Sequence, residues 1–109
     1  MVTHIVAWKF RPELTAEQKE QAALEIRYAL ERLVGEVEGL VSLKVWPLLG
    51  TSSHDLILYS LLEDEDALAA YQIHPSHLKA KTVVHRYCGE RICLDHEGGS
   101  FYAKTTKKK

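Results

Sequence analysis

Apolar and polar positions alternate from Thr3 to Phe10, which predicts a strand. His4, Val6, Trp8 and Phe10 share one side of it, and Thr3, Ile5, Ala7 and Lys9 the other. The second side is also apolar at Ile5 and Ala7, so the strand is expected to be central and covered on both faces. The pattern then changes period. Ala22, Ala23, Ile26, Ala29, Leu30, Leu33 and Val37 recur at helical spacing, with Glu, Gln and Arg opposite them. Thr15 and Gln18 stand three apart ahead of this stretch, as in a capping box. Gly35 or Gly39 is expected to close the helix, because glycine takes the left-handed cap without penalty.

Alternation returns from Leu40 to Trp46, with Val41, Leu43 and Val45 predicted inward. Pro47 and the stretch from Gly50 to Ser53 predict a turn. Asp55 to Leu62 is an almost continuous apolar run, which points to a buried strand. The acids from Glu63 to Asp66 suit the start of a helix running through Tyr71. Pro75 breaks that helix, disfavouring helical geometry at His74 and fitting the first turn of a second helix to about Tyr87. Arg91 to His96 is the last predicted strand.

The order is strand, long helix, strand, strand, broken helix, strand. It predicts an α+β chain of ferredoxin-like plait topology: a four-stranded antiparallel sheet with helices on one face. The other face is apolar at Ile5 and its neighbours and needs a cover. A second copy packed sheet to sheet, forming a dimeric α/β barrel, supplies one, so a homodimer is expected.

Charge refines this picture. The chain has 109 residues, of which 14 are basic and 15 acidic. Lys104, Lys107, Lys108 and Lys109 lie near the end with no acid among them, leaving ten basic residues in the body. A domain over 1–97 followed by a flexible basic tail over 98–109 is expected. The acidic body argues against a nucleic-acid partner. No apolar run approaches the roughly eighteen residues of a membrane helix, so no membrane association is expected. The first ten residues lack the pattern of a secretory signal, and a cytoplasmic location with reduced thiols is the expectation.

Candidate chemistry concentrates between Tyr71 and His77, where a phenol and the imidazoles of His74 and His77 surround a proline-enforced break. Histidine exchanges protons near neutral pH. A neighbouring tyrosine can donate to a carbonyl oxygen as it gains negative charge. His4, on the Trp8 side of the first strand, can face the same space. The same residues also have architectural readings, with His74 capping the next helix and Tyr71 a core ring. His77, Lys81 and His85 recur at helical spacing but read as a solvated face, and no metal set is evident. Cys88 and Cys93 read as core or half-buried thiols. The glycines form neither a phosphate loop nor a dinucleotide fingerprint, so no nucleotide or flavin cofactor is expected.

His4 to Phe10, Gly39 to Val45, Asp55 to Leu58 and above all Tyr71 to His77 resemble the stress-responsive dimeric α/β-barrel (Dabb) family. The resemblance runs from about Val2 to Glu97. It implies a pocket inside each subunit, between sheet and helices, and a protein of stress-response type that binds a small apolar molecule there. A plant member of the family closes a linear polyketide by intramolecular aldol condensation without cofactor. That precedent implies catalytic roles for Tyr71 and His77, with His4, Val6, Trp8, Ile26 and His74 around the ligand. On the long helix, Ala22, Ala23 and Ile26 replace the cyclase's aromatic rings, which implies a differently shaped pocket. A monooxygenase-like activity on aromatic substrates is a further alternative, by analogy of fold.

Overall fold

The computed structural model describes residues 1–98; the expected basic tail, beyond Gly98, lies outside the described residues. The elements follow the order β1 (Val2–Phe10), α1 (Ala16–Glu31), β2 (Leu40–Pro47), β3 (Leu56–Leu62), α2 (Glu65–Ile73), α3 (Pro75–Tyr87) and β4 (Cys88–Glu97). The four strands form one antiparallel sheet in the order β2-β3-β1-β4. This is the ferredoxin-like plait that the element order predicted. Among the described residues, no helix is long and apolar enough to cross a membrane.

Local chemistry accounts for the helix starts. The Thr15 hydroxyl accepts the Gln18 N–H, and the Gln18 side chain accepts the Thr15 N–H, completing the capping box. The Asp64 carboxylate accepts the Ala67 N–H at the start of α2. His74 caps α3: its Nδ1 accepts the Ser76 N–H at 3.0 Å while Pro75 occupies the first turn.

The end of α1 corrects an expectation. Neither Gly35 nor Gly39 is its cap; the helix stops at Glu31, and Arg32 caps it with ordinary right-handed geometry. Leu33 and Val37 are buried nonetheless, because hydrogen-bonded turns return them to the core. Gly35 (φ 97°) and Gly39 (φ 87°) serve those turns.

A second correction concerns β2. Its pairing with β3 shifts register between Leu40 and Ser42. That irregularity offsets the alternation, so Leu40 is buried and Val41 exposed. The free edge of β2 is covered by α1, where Glu31 accepts the Val45 N–H at 2.9 Å.

The helices cover one face only. Val6, Trp8, Leu43, Val45, Leu56, Leu58 and Leu62 pack there against Ile26, Leu30, Tyr71, Ala80 and Val84. The expected burial of β1 and β3 on both faces is not met within one chain. Tyr59 on β3 and Ile92 and Leu94 on β4 are exposed, and Ile5, Ile57 and Leu61 are half-buried. Cross-strand register places all six on the face away from the helices. Of the two tryptophans, Trp8 joins the core, whereas Trp46 is half-exposed with the Arg27 guanidinium over its ring.

Candidate functional site

His4 lies mid-strand on the helix-covered face, and the pairing of β1 with β4 sets it opposite Asp95. Its Nδ1 meets the Asp95 carboxylate at 2.5 Å. His4 is buried, while the Asp95 side chain is 40% exposed. A carboxylate only accepts, so Nδ1 is the donor in this bond.

Tyr71 and His77 arrive from opposite sides of the break at Pro75. On one continuous helix, positions six apart would diverge by about a third of a turn, roughly 120°. The break instead stacks the two rings, with centroids 4.0 Å apart and planes inclined at 24°. His4 meets Tyr71 edge-on at 5.9 Å. The three rings therefore form a continuous contact from β1 through α2 to α3.

The three rings share a cavity of about 80 Å³. Val6, Trp8, Leu30, Leu58 and Val84 supply its apolar walls, and Lys81, His85 and Arg91 add basic groups to its lining. Two residues expected around a ligand lie elsewhere. Ile26 is sealed in the core, with Leu30 taking the helix position on the cavity. His74 is spent on the α3 cap and does not line the cavity. The solvated face expected of His77, Lys81 and His85 is corrected at His77, which is buried; Lys81 is half-buried and His85 exposed, and all three border the cavity.

Burial sets the protonation states. It raises the Tyr71 hydroxyl above its ordinary range, so the phenol keeps its proton throughout the neutral region. It also pulls His77 down to about 4. The backbone of Gln72 and Tyr71 opposes this shift, while the charge of Lys81 and the nearby His4 reinforce it. His77 is consequently neutral at pH 7. Its Nδ1 is also, among the described residues, the one fully buried side-chain nitrogen or oxygen without a hydrogen-bond partner.

Sequence reasoning missed Asp95. Its only signal is a residue type two positions from Cys93, and its value depends on the β1–β4 register, which local periodicity does not encode. Cys93 lies beside the same pair, its Sγ 3.7 Å from His4 Nδ1. Burial and the Asp95 charge raise this thiol's pKa. Cys88 is a buried core thiol, pushed up to about 11 chiefly by burial.

A wider groove of about 600 Å³ runs between α1 and the ends of β2 and β3. Phe10, Ala23, Leu24, Val45, Pro47 and Leu56 contribute to its apolar lining. It contains no imidazole or phenol. Imidazole and phenol groups converge instead at the smaller cavity.

Residues 2–97 match the profile of the Stress Responsive A/B Barrel Domain. Among solved structures, a dimeric ferredoxin-like protein of unknown function from Bacteroides fragilis superposes with a TM-score of 0.83 at 26% identity, covering 89% of this chain and 95% of that one. A dimeric ferredoxin-like protein from Thermobifida fusca gives 0.72 at 24% identity, covering 89% and 90%. A hydroxynitrile lyase from Passiflora edulis gives 0.69 at 17% identity, covering 92% and 95%, a likeness of fold alone. A search of curated proteins found no match.

Proposed function

Since this chain belongs to the stress-responsive A/B barrel domain (Dabb) family, we propose that the cavity between Tyr71, His77 and His4 binds a small, largely apolar molecule through a carbonyl oxygen. The carrying observation is the Tyr71–His77 stack, which sets a phenol that keeps its proton beside a neutral imidazole in a small cavity whose walls mix apolar side chains with basic ones. A carbonyl oxygen is an acceptor and fits a donor hydroxyl there. Size narrows the ligand. About 80 Å³ falls well below the roughly 300–1,000 Å³ of pockets for drug-sized molecules. A polyketide chain therefore needs the cavity to widen, while a short ketone or aldehyde does not.

Titration with a carbonyl-labelled series of short aliphatic ketones and aldehydes tests this. The labelled carbonyl resonance should shift on binding to the wild type and stay at its free value with Tyr71→Phe. Equal shifts with both proteins would refute the assignment.

A second reading, cofactor-independent proton transfer of the kind an aldol cyclisation requires, is favoured by the His4–Asp95 pair. A carboxylate on Nδ1 orients the ring and stabilises the imidazolium formed when the other nitrogen takes a proton. Tyr71 would donate to the oxygen as the enolate forms. Its readout is solvent deuterium entering the carbon next to the carbonyl: catalysed exchange supports it, and binding without exchange leaves a binding protein.

The same reading includes a homodimer formed through the uncovered sheet face. An isolated plait leaves Tyr59, Ile92 and Leu94 in water, and burial returns roughly 25 cal/mol per Å² of apolar area.

A further inference from the structure

Three unlike donor atoms meet where β4 runs beside β1. The register opposes His4 to Asp95 and Val6 to Cys93, so Cys93 and Asp95, two residues apart, share a side with His4. Nδ1 of His4, Sγ of Cys93 and a carboxylate oxygen of Asp95 all lie within 4.8 Å of one another. The pairwise distances are 2.5 Å from His4 to Asp95, 3.7 Å from Cys93 to His4 and 3.9 Å from Cys93 to Asp95.

We propose that His4, Cys93 and Asp95 form a binding site for a zinc-type divalent cation, with a fourth coordination position open to solvent. Bonds of about 2.3 Å to sulfur and about 2.0–2.2 Å to nitrogen and oxygen give a tetrahedron whose edges are roughly 3.3–3.6 Å. Both edges ending on Cys93 are already within about 0.4 Å of that range. The His4–Asp95 edge is shorter because a proton bridges it. An ion taking that place moves the carboxylate back by about 1 Å. Asp95 is free to do so, being 40% exposed on an edge strand. His4, buried, is the fixed ligand.

The donor set selects the ion. Magnesium and calcium seek oxygen, whereas thiolate and imidazole together suit a borderline cation such as zinc or cobalt. The protons balance. The Cys93 thiol releases one proton to solvent, and the Nδ1 proton of His4 is exchanged onto Nε2. The ion thus binds with one net proton expelled. Arg91, whose charge acts on this thiol, opposes a cation there. The site needs no ligand in the cavity and stands whether or not a carbonyl compound binds.

Cobalt(II) titration of the chelator-treated full chain is the test. One equivalent should produce a thiolate-to-cobalt charge-transfer band with the strong visible absorption of tetrahedral cobalt, and zinc should abolish both. Cys93→Ser should remove the charge-transfer band, and Asp95→Asn should weaken binding on the order of tenfold or more. Arg91→Ala should tighten it several-fold. Both ligand substitutions fall on exposed residues of one edge strand, and circular dichroism melts check that each variant folds. Absence of a thiolate band in the wild type, or a band that survives Cys93→Ser, overturns the site. Equal affinity in wild type and Asp95→Asn does the same.

Discussion

His77 carries two competing demands, and pH separates them. Its ring is packed against Tyr71 in a neutral state, with its pKa drawn down to about 4 from an ordinary 6.5. As pH falls from 6.5 to 4, the unfolded chain takes up a proton at this residue before the folded chain does. The unfolded state binds more protons across that window, so stability rises with pH there and the contribution is complete above it. Urea midpoints should therefore fall between pH 7 and pH 5 in the wild type, and fall less in His77→Gln. Equal declines would mean that His77 is not held neutral by the fold. Tyr71 divides differently. Tyr71→Phe keeps the ring and should change stability by under about 1 kcal/mol, whereas Tyr71→Ala empties a core position and should cost about 3–5 kcal/mol. Denaturation curves of the two variants check this. The Tyr71–His77 pairing was legible in the sequence because Pro75 announces the break that brings the rings together. Asp95 was not, because its partner lies 91 residues away and only the sheet register joins them.

The elements themselves were legible wherever one local device decides them. The capping box at Thr15, the acidic start of α2 and the proline start of α3 all sit where residue chemistry places them. What escaped was offset by neighbours. Val41 continues the inward pattern of Leu43 and Val45, yet the irregular pairing beyond Leu40 turns it outward. Gly39 looks like a helix cap but answers a tertiary constraint. A Cβ on it would stand 2.7 Å from the Cβ of Ala67 on α2, at a φ of 87° that already disfavours a side chain. Gly35 has a similar φ and open space around it. Gly35→Ala should thus incur only the left-handed penalty of about 1–2 kcal/mol. Gly39→Ala should be clearly worse, because α2 has to shift as well. Thermal melts that rank the two variants equally would show that α2 yields without strain. Thr15→Ala, which removes one arm of the capping box, should cost about 1 kcal/mol in the same assay.

At the scale of the whole molecule, the sheet has one finished face and one unfinished one. The finished face holds the core and the three stacked or edge-on rings. On the other, cross-strand rows run Trp46, Ile57, Ala7, Ile92 and then Lys44, Tyr59, Ile5, Leu94. These rows place the exposed Trp46, Tyr59, Ile92 and Leu94 beside the half-buried Ile5 and Ile57, so this apolar surface is clustered rather than scattered. A sheet of this kind is self-complementary when two copies meet about a two-fold axis, and an ordinary stable interface takes roughly 800 Å² from each partner. The position that separates folding from pairing is Leu94. It is 60% exposed in the single chain, so a charge there scarcely disturbs the core. In a sheet-to-sheet dimer the same charge would be desolvated without a partner. Leu94→Glu should therefore give a folded protein, with the far-ultraviolet dichroism of the wild type, that light scattering finds at monomer mass, while the wild type runs as a dimer at micromolar concentration. A wild-type monomer would remove the dimer. A Leu94→Glu variant that stays dimeric would move the interface off this face, leaving the exposed rows on β3 and β4 to be explained by a different partner.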